Sequence, residues 1–310
     1  MRAAFIKTLV DLAEKDSRIM LLTGDLGFMA VEPFVEKFPS RFFNVGVAEQ
    51  NLVGLGTGLA EAGFLPFLYS ISTFASLRPY EFIRNGPILH QLPVRIVGVG
   101  GGFEYGQAGI THYGLEDDGV MRVQPGITLI SPADYEQTRS ALLATWNLPG
   151  PIYYRIGKDD KTIVPGLNGR FELGRTQVIL EGADLLLVAM GSVAAEAVAA
   201  AEMLSTRGIS CSVAVVASVS PAPVGDLVKL LTRFQKVMTI EAHYIAGGLG
   251  SLVSEVIAEG GIPSRLIRCG VRNTPDGVSG SQNFLHHRNK ISRAALVETA
   301  LQALQERKKA

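Results

Sequence analysis

The sequence predicts an α/β protein of two three-layer domains, each a mostly parallel sheet covered by helices. Short β-branched runs alternate with segments of helical periodicity through the first half, and after a break the same alternation begins again. A chain of 310 residues is also too long for one ordinary domain and comfortable for two with separate cores.

The strand candidates of the first half are IMLLTG, FFNVGV, LPFLYSI, VRIVGVG, ITLISP and PIYYRIG. Between them AEQNLVGLGTGLAEAG, RPYEFIRNGPILHQ, LEDDGVMRV and ADYEQTRSALLATWN space their apolar residues as helices do, the last starting at Ala133 and Asp134 just after Pro132. From Lys158 to Gly174 periodicity stops, with Pro165, Gly166, Asn168 and Gly169 close together. The expected division is a first domain over 1–160, a linker over 161–174 and a second domain over 175–310. The second series reads TQVILEG, LLLVAMG, a helix from Val193 to Arg207, SCSVAVVAS, a helix from Leu227 to Phe234, VMTIEAH, a helix after Gly250, SRLIRCGV, and a last helix through ISRAALVETALQALQERKK with a basic end suited to the helix dipole. No tandem repeat shows at a fixed period.

Hydrophobic residues make up 47% of the chain and charged residues 19%, the composition of a folded globule. Lys plus Arg and Asp plus Glu each total 29, leaving no global field to draw nucleic acid or an anionic membrane. Cys211 and Cys269 are too few and too far apart for a disulfide scaffold or a CxxC metal site, which points to a reducing compartment, the cytoplasm by default. MRAAFIKTLVDLAEKD is an acid-containing amphipathic helix rather than a signal peptide, and no apolar run reaches the roughly 18 residues of a membrane span.

Glu49 stands where the run FFNVGV meets an apolar, glycine-containing helix, and ligands of open α/β sheets bind at such strand ends. A carboxylate there also suits the helix dipole, so capping is the competing reading. Gly54, Gly56 and Gly58 fall inside the helical pattern and point to close packing rather than a nucleotide loop. Gly98 to Gly109, GVGGGFEYGQAG, predicts a mobile or unusually shaped loop able to approach a ligand backbone-first, and His112 follows it, placed to move protons. His90, His243, His286 and His287 are weaker candidates, and the adjacent pair points apart, against a metal site. Arg155 ends the run PIYYRIG, where it either clamps a phosphate or carboxylate or pairs with Asp159 or Asp160. No GxSxG, P-loop or HExxH motif is present, which removes support for hydrolase and kinase chemistry.

Taken together, RFFNVGVAEQNLVGLGTGLA, YSISTF, QLPVR, THYGLED, GITLISPAD and GPIYYR, in that order, resemble the C-terminal half of transketolase and of the similar deoxyxylulose-phosphate synthase over essentially the whole chain. The resemblance implies a pyrimidine-binding domain for thiamine diphosphate followed by the family's C-terminal domain. It makes Glu49 the glutamate that hydrogen-bonds N1′ of the aminopyrimidine, favouring the tautomer whose own nitrogen takes the thiazolium C2 proton. It places Phe74 against the pyrimidine, with Leu77 and Tyr80 beside it. His112 matches a histidine that stabilises substrate oxygens, Arg155 and Arg2 match arginines for the phosphate end of sugars, and Asp25 matches an aspartate near the cofactor and the subunit contact.

Departures from the family's pattern are informative. Gly100 stands for a substrate histidine, Ala108 for an aspartate that reads sugar hydroxyls, and Met29 for a phosphate-binding serine, which puts ordinary pentose phosphates in doubt. Nothing resembles the family's GDG and asparagine motif for Mg²⁺ and the diphosphate. The resemblance therefore implies a separate N-terminal-type subunit holding diphosphate and metal, with two copies of each chain sharing interfacial sites and with sugars as substrates. The rival expectations are the β subunit of a 2-oxo acid dehydrogenase and a non-catalytic assembly subunit.

Overall fold

The computed structural model describes residues 1–305. Its strands are β1 (Ile19–Thr23), β2 (Phe42–Asn44), β3 (Leu65–Ile71), β4 (Arg95–Val99), β5 (Thr128–Ile130), β6 (Ile152–Ile156), β7 (Gln177–Leu180), β8 (Leu185–Met190), β9 (Cys211–Val215), β10 (Ser218–Ser220), β11 (Lys236–Tyr244) and β12 (Arg265–Val271). They form a seven-stranded sheet in the order β10-β5-β6-β4-β3-β1-β2 and a five-stranded sheet in the order β12-β11-β8-β9-β7. The first is parallel except for β10, and the second except for β7. All residues of β1, β4, β6, β8 and β9 are buried, as a parallel sheet covered on both faces requires.

The predicted alternation thus becomes two α/β sheets, and each of the first six sequence runs contains a strand. The sheets are not independent of each other. Strand β10 comes from the second half of the chain and pairs antiparallel with β5, and one buried cluster joins Leu22, Leu68 and Ile96 to Val188, Ala214 and Val237. Residues 161–174 form no helix or strand but are pinned down: Val164 N–H donates to Asp134 Oδ2 at 3.1 Å and Gln137 Nε2 to Arg170 O at 2.8 Å.

Helix ends follow local chemistry. Asp134 caps Tyr135–Thr145 by accepting from Gln137 N–H at 2.8 Å. The stretch expected to be one helix from Arg78 onward divides into Tyr80–Ile83 and a wider π turn, Arg84–Ile88, around Pro87, which has no N–H to donate. The helix expected over Leu227 to Phe234 runs instead over Val224–Leu231, directly after Pro223. The last helix covers Arg293–Gln305, and the basic end predicted for it, Arg307 to Lys309, lies outside the described residues.

Candidate active site

The site is assembled at the carboxyl ends of β1, β2 and β3. After β2 the chain turns at Gly46, with φ of 75°, and Glu49 becomes the first residue of the helix Glu49–Glu61. Its side chain is carried inward and is 1% exposed. After β3 the helix Ser72–Leu77 begins, presenting Phe74, and Arg78 follows at its end. Arg78 Nη1 donates to Glu49 Oε1 at 2.9 Å and Oε2 at 2.8 Å, while the guanidinium carbon lies 4.0 Å from the centre of the Phe74 ring. On Phe74's other contact, the His112 ring stands edge-on at 5.1 Å and 67°. Glu49, Arg78, Phe74 and His112 therefore form one continuous group, in which Arg78 carries no local sequence signal.

The glycine loop brings His112 to this place by close packing rather than by freedom. Gly102 and Gly114 pair across it through N–H to O bonds of 2.7 and 3.0 Å, and His112 ends a short turn, Ile110–His112. The Tyr105 ring lies 6.4 Å from His112, with Lys158 Nζ 4.6 Å from that ring. Gly100, where the resemblance implies a histidine, has φ of 76°, and a Cβ there would lie 2.2 Å from the Tyr105 ring. Tyr105 thus fills the space where a side chain at 100 would go. Of the three helical glycines only Gly56 is closely packed, a Cβ there falling 2.8 Å from Leu68, while Gly54 and Gly58 have open space beside them.

The other predicted residues are placed differently. Leu77 is exposed, and the Tyr80 hydroxyl donates to Val120 O at 2.9 Å. Asp25, in the left-handed region with φ of 57°, is held by Asn44, whose Nδ2 donates to it at 3.0 Å. Arg2 Nε donates to Lys158 O at 3.1 Å, and the two cations line a 360 Å³ cavity with Glu104 and Asp160. Phe28 and Met29 are each 84% exposed and Val47 69%, an apolar surface at these strand ends.

Arg155 departs from both sequence readings. It is buried and pairs with neither Asp159 nor Asp160: Nε donates to Asp117 Oδ2 at 2.9 Å, and Nη2 donates to Gly114 O at 2.8 Å and Ala242 O at 3.0 Å. Burial opposes its charge, but Asp117 and Asp118 together raise its pKa above the usual arginine value. Its Nε and Nη2 donors are thus taken up by these groups, none of which is Glu49, Phe74 or His112.

Among the remaining histidines, His243 Nε2 accepts from Gly119 N–H at 3.1 Å, and His286 is buried, its pKa pushed down to about 4 by desolvation. Among the described residues no three His, Cys, Asp or Glu side chains are grouped to hold a metal, and no helix is long and apolar enough to cross a membrane.

A buried carboxylate acceptor linked to an aromatic face through one guanidinium suits a flat heterocycle with a hydrogen-bond-donating edge. Family models agree with that chemistry: residues 1–161 match the transketolase pyrimidine-binding domain, and residues 174–296 match the transketolase C-terminal domain. The chain belongs to the transketolase family. Among its relatives is an apulose-4-phosphate transketolase component from Phocaeicola vulgatus, 33% identical over 97% of this chain and 96% of that one. A 6-deoxy-6-sulfo-D-fructose transketolase subunit from a Clostridium species is likewise 33% identical, over 97% of this chain and 93% of the relative. Among solved structures, a split-gene transketolase described as an inactive β4 tetramer is 36% identical, with a TM-score of 0.89 and 98% of each chain covered. The transketolase fold accounts for both sheets, so the group around Glu49 lies in the pyrimidine-binding domain of this family member.

Proposed function

We propose that this chain is the pyrimidine-side subunit of a two-chain transketolase, which moves a two-carbon ketol unit from an anionic ketose to an aldehyde with thiamine diphosphate. The observation that carries the reading is the buried Glu49 carboxylate at the start of a helix, with the Phe74 ring and His112 beside it. When bound, thiamine diphosphate supplies a nucleophilic carbon and an electron sink for carbon–carbon cleavage. In this reading Glu49 fixes the ring by its N1′ edge and the proton held there, and Phe74 supports its flat face, with Leu77 and Tyr80 bracing the segment and Asp25 at the rim. His112 holds and moves protons at the substrate oxygens.

Arg2 and Lys158, on the Tyr105 side of His112, are assigned to the anionic end of the sugar, and Arg155 to holding the fold. Lacking the family's GDG motif, the chain leaves Mg²⁺ and the diphosphate to an N-terminal-type partner, two copies of each chain making the assembly in the cytoplasm. Relatives named as transketolase subunits, and a β-only tetramer described as inactive, support this division of labour. The exposed Phe28, Met29 and Val47 would be covered by that partner. Calorimetric titration of thiamine diphosphate with Mg²⁺ tests it: binding is expected only after the neighbouring transketolase-like chain of the same genome is added, and tight binding to the isolated chain would overturn the two-chain reading.

A further inference from the structure

The guanidinium of Arg78 makes two contacts at once. The guanidinium carbon lies over the Phe74 ring, 4.0 Å from its centre, and Nη1 reaches both oxygens of the buried Glu49 carboxylate. A flat nitrogen heterocycle seated on the same residues makes the same two contacts, one through its face and one through its edge. Two flat groups cannot share one face of Phe74 and one carboxylate edge.

We propose that Arg78 is a placeholder: it occupies the pyrimidine seat in the unloaded chain and must withdraw when the cofactor ring enters. This rests on the reading of Glu49 and Phe74 as that seat. Three further features fit the role. Glu49 is 1% exposed, and no other side chain among the described residues donates to it, so an unloaded site without Arg78 would leave a buried carboxylate unpaired. The Arg78 side chain is 41% exposed, giving a long flexible cation an open way out toward solvent by rotation about its own bonds. It leaves the main chain at the end of the short helix Ser72–Leu77, next to Pro79, so its withdrawal does not require Glu49 or Phe74, fixed on helices, to move.

Cofactor binding must then break a charge-assisted pair and a cation–π contact, which weakens it. The test is calorimetric titration of thiamine diphosphate and Mg²⁺ into the assembled two-chain protein carrying wild type, Arg78→Met, Arg78→Lys or Glu49→Ala, with melting of each isolated chain as a second measurement. Arg78→Met keeps the apolar stem without the donors. It is expected to tighten cofactor binding about tenfold, equivalent to about 1.4 kcal/mol, while lowering the melting temperature of the isolated chain. Arg78→Lys, a cation without the flat fork, should fall between. Unchanged or weaker binding in Arg78→Met, with binding abolished in Glu49→Ala, would overturn the placeholder and leave the seat standing. Wild-type binding in Glu49→Ala would instead overturn the seat itself, and the placeholder with it.

Discussion

Arg155 and Asp117 form an ion pair shut off from water, Nε to Oδ2 at 2.9 Å with the two side chains 5% and 0% exposed. The same carboxylate oxygen accepts from Tyr153 at 2.9 Å, and the guanidinium also reaches the carbonyls of Gly114, which pairs with Gly102 of the glycine loop, and Ala242 in β11. One side chain thus joins β6, the loop that presents His112, and the second sheet. Removing one member of such a pair strands the other charge in the interior, a cost of roughly 3–5 kcal/mol. Arg155→Met is expected to lower the unfolding free energy by about that much in urea titration. An arginine that bound substrate would give a different result: a raised KM for an anionic ketose and stability within about 0.5 kcal/mol of wild type, as for a surface change.

Asp118 lies beside that pair, accepting from Ser131 at 2.9 Å, with Oδ2 left without a hydrogen bond. Burial pushes its carboxyl up to about 7, against the pull of Arg155 and with the charge of Asp117 adding to it. Above the ordinary value of about 4 the unfolded chain has released this proton while the native state still holds it. The group's contribution to stability therefore falls as pH rises from about 4 to about 7, by up to about 4 kcal/mol. Asp118→Asn should match wild type near the acid end of that window and become progressively more stable than wild type toward the neutral end. Urea unfolding of both proteins across the window measures the difference, and a difference that stays flat contradicts the assignment.

Gly100 stands where the family resemblance calls for a histidine, and restoring the histidine is not expected to restore the family's chemistry. The backbone there has φ of 76°, and the Tyr105 ring would lie 2.2 Å from any Cβ. Gly100→His should destabilise the chain by about 2 kcal/mol or more through strain and overpacking, without improving turnover of pentose phosphates. Pairing it with Tyr105→Ala should recover part of the stability, because the clash has been removed and the backbone strain remains. Thermal melts of the single and double variants check this.

Sequence reasoning found what is local. Runs such as VRIVGVG and PIYYRIG could be read as strands because a parallel sheet buries both faces and leaves continuous apolar stretches. Glu49 stood out because a carboxylate at a strand-to-helix junction is a local pattern. What went unread depends on pairs brought together by the fold. Arg155 has two aspartates close after it in sequence, yet its partner is Asp117, on the other side of β5 and the helix Tyr135–Thr145. Arg78, between Leu77 and Tyr80, carries no local signal because its meaning comes from Glu49, which lies across β3 from it in the chain. Strand β10 was hidden for a similar reason: three residues long, it owes its existence to an edge of the first sheet.

The role of Glu49 can be separated from its packing by an isosteric change. Glu49→Gln keeps the side-chain length and an oxygen able to accept from Arg78, so the helix start and the fit against the Arg78 guanidinium are largely preserved. What it loses is the carboxylate that holds a proton at the ring edge. Proton transfer by a positioned group contributes about 100-fold to 10,000-fold to rate, and the ketol-transfer rate of the assembled two-chain protein should fall by at least the lower figure. Assembly, followed by size-exclusion chromatography, should be unchanged, since Glu49 is turned inward while Phe28, Met29 and Val47 supply the exposed surface. Full turnover in a correctly assembled Glu49→Gln protein would remove Glu49 from the chemistry and leave it only the task of starting its helix.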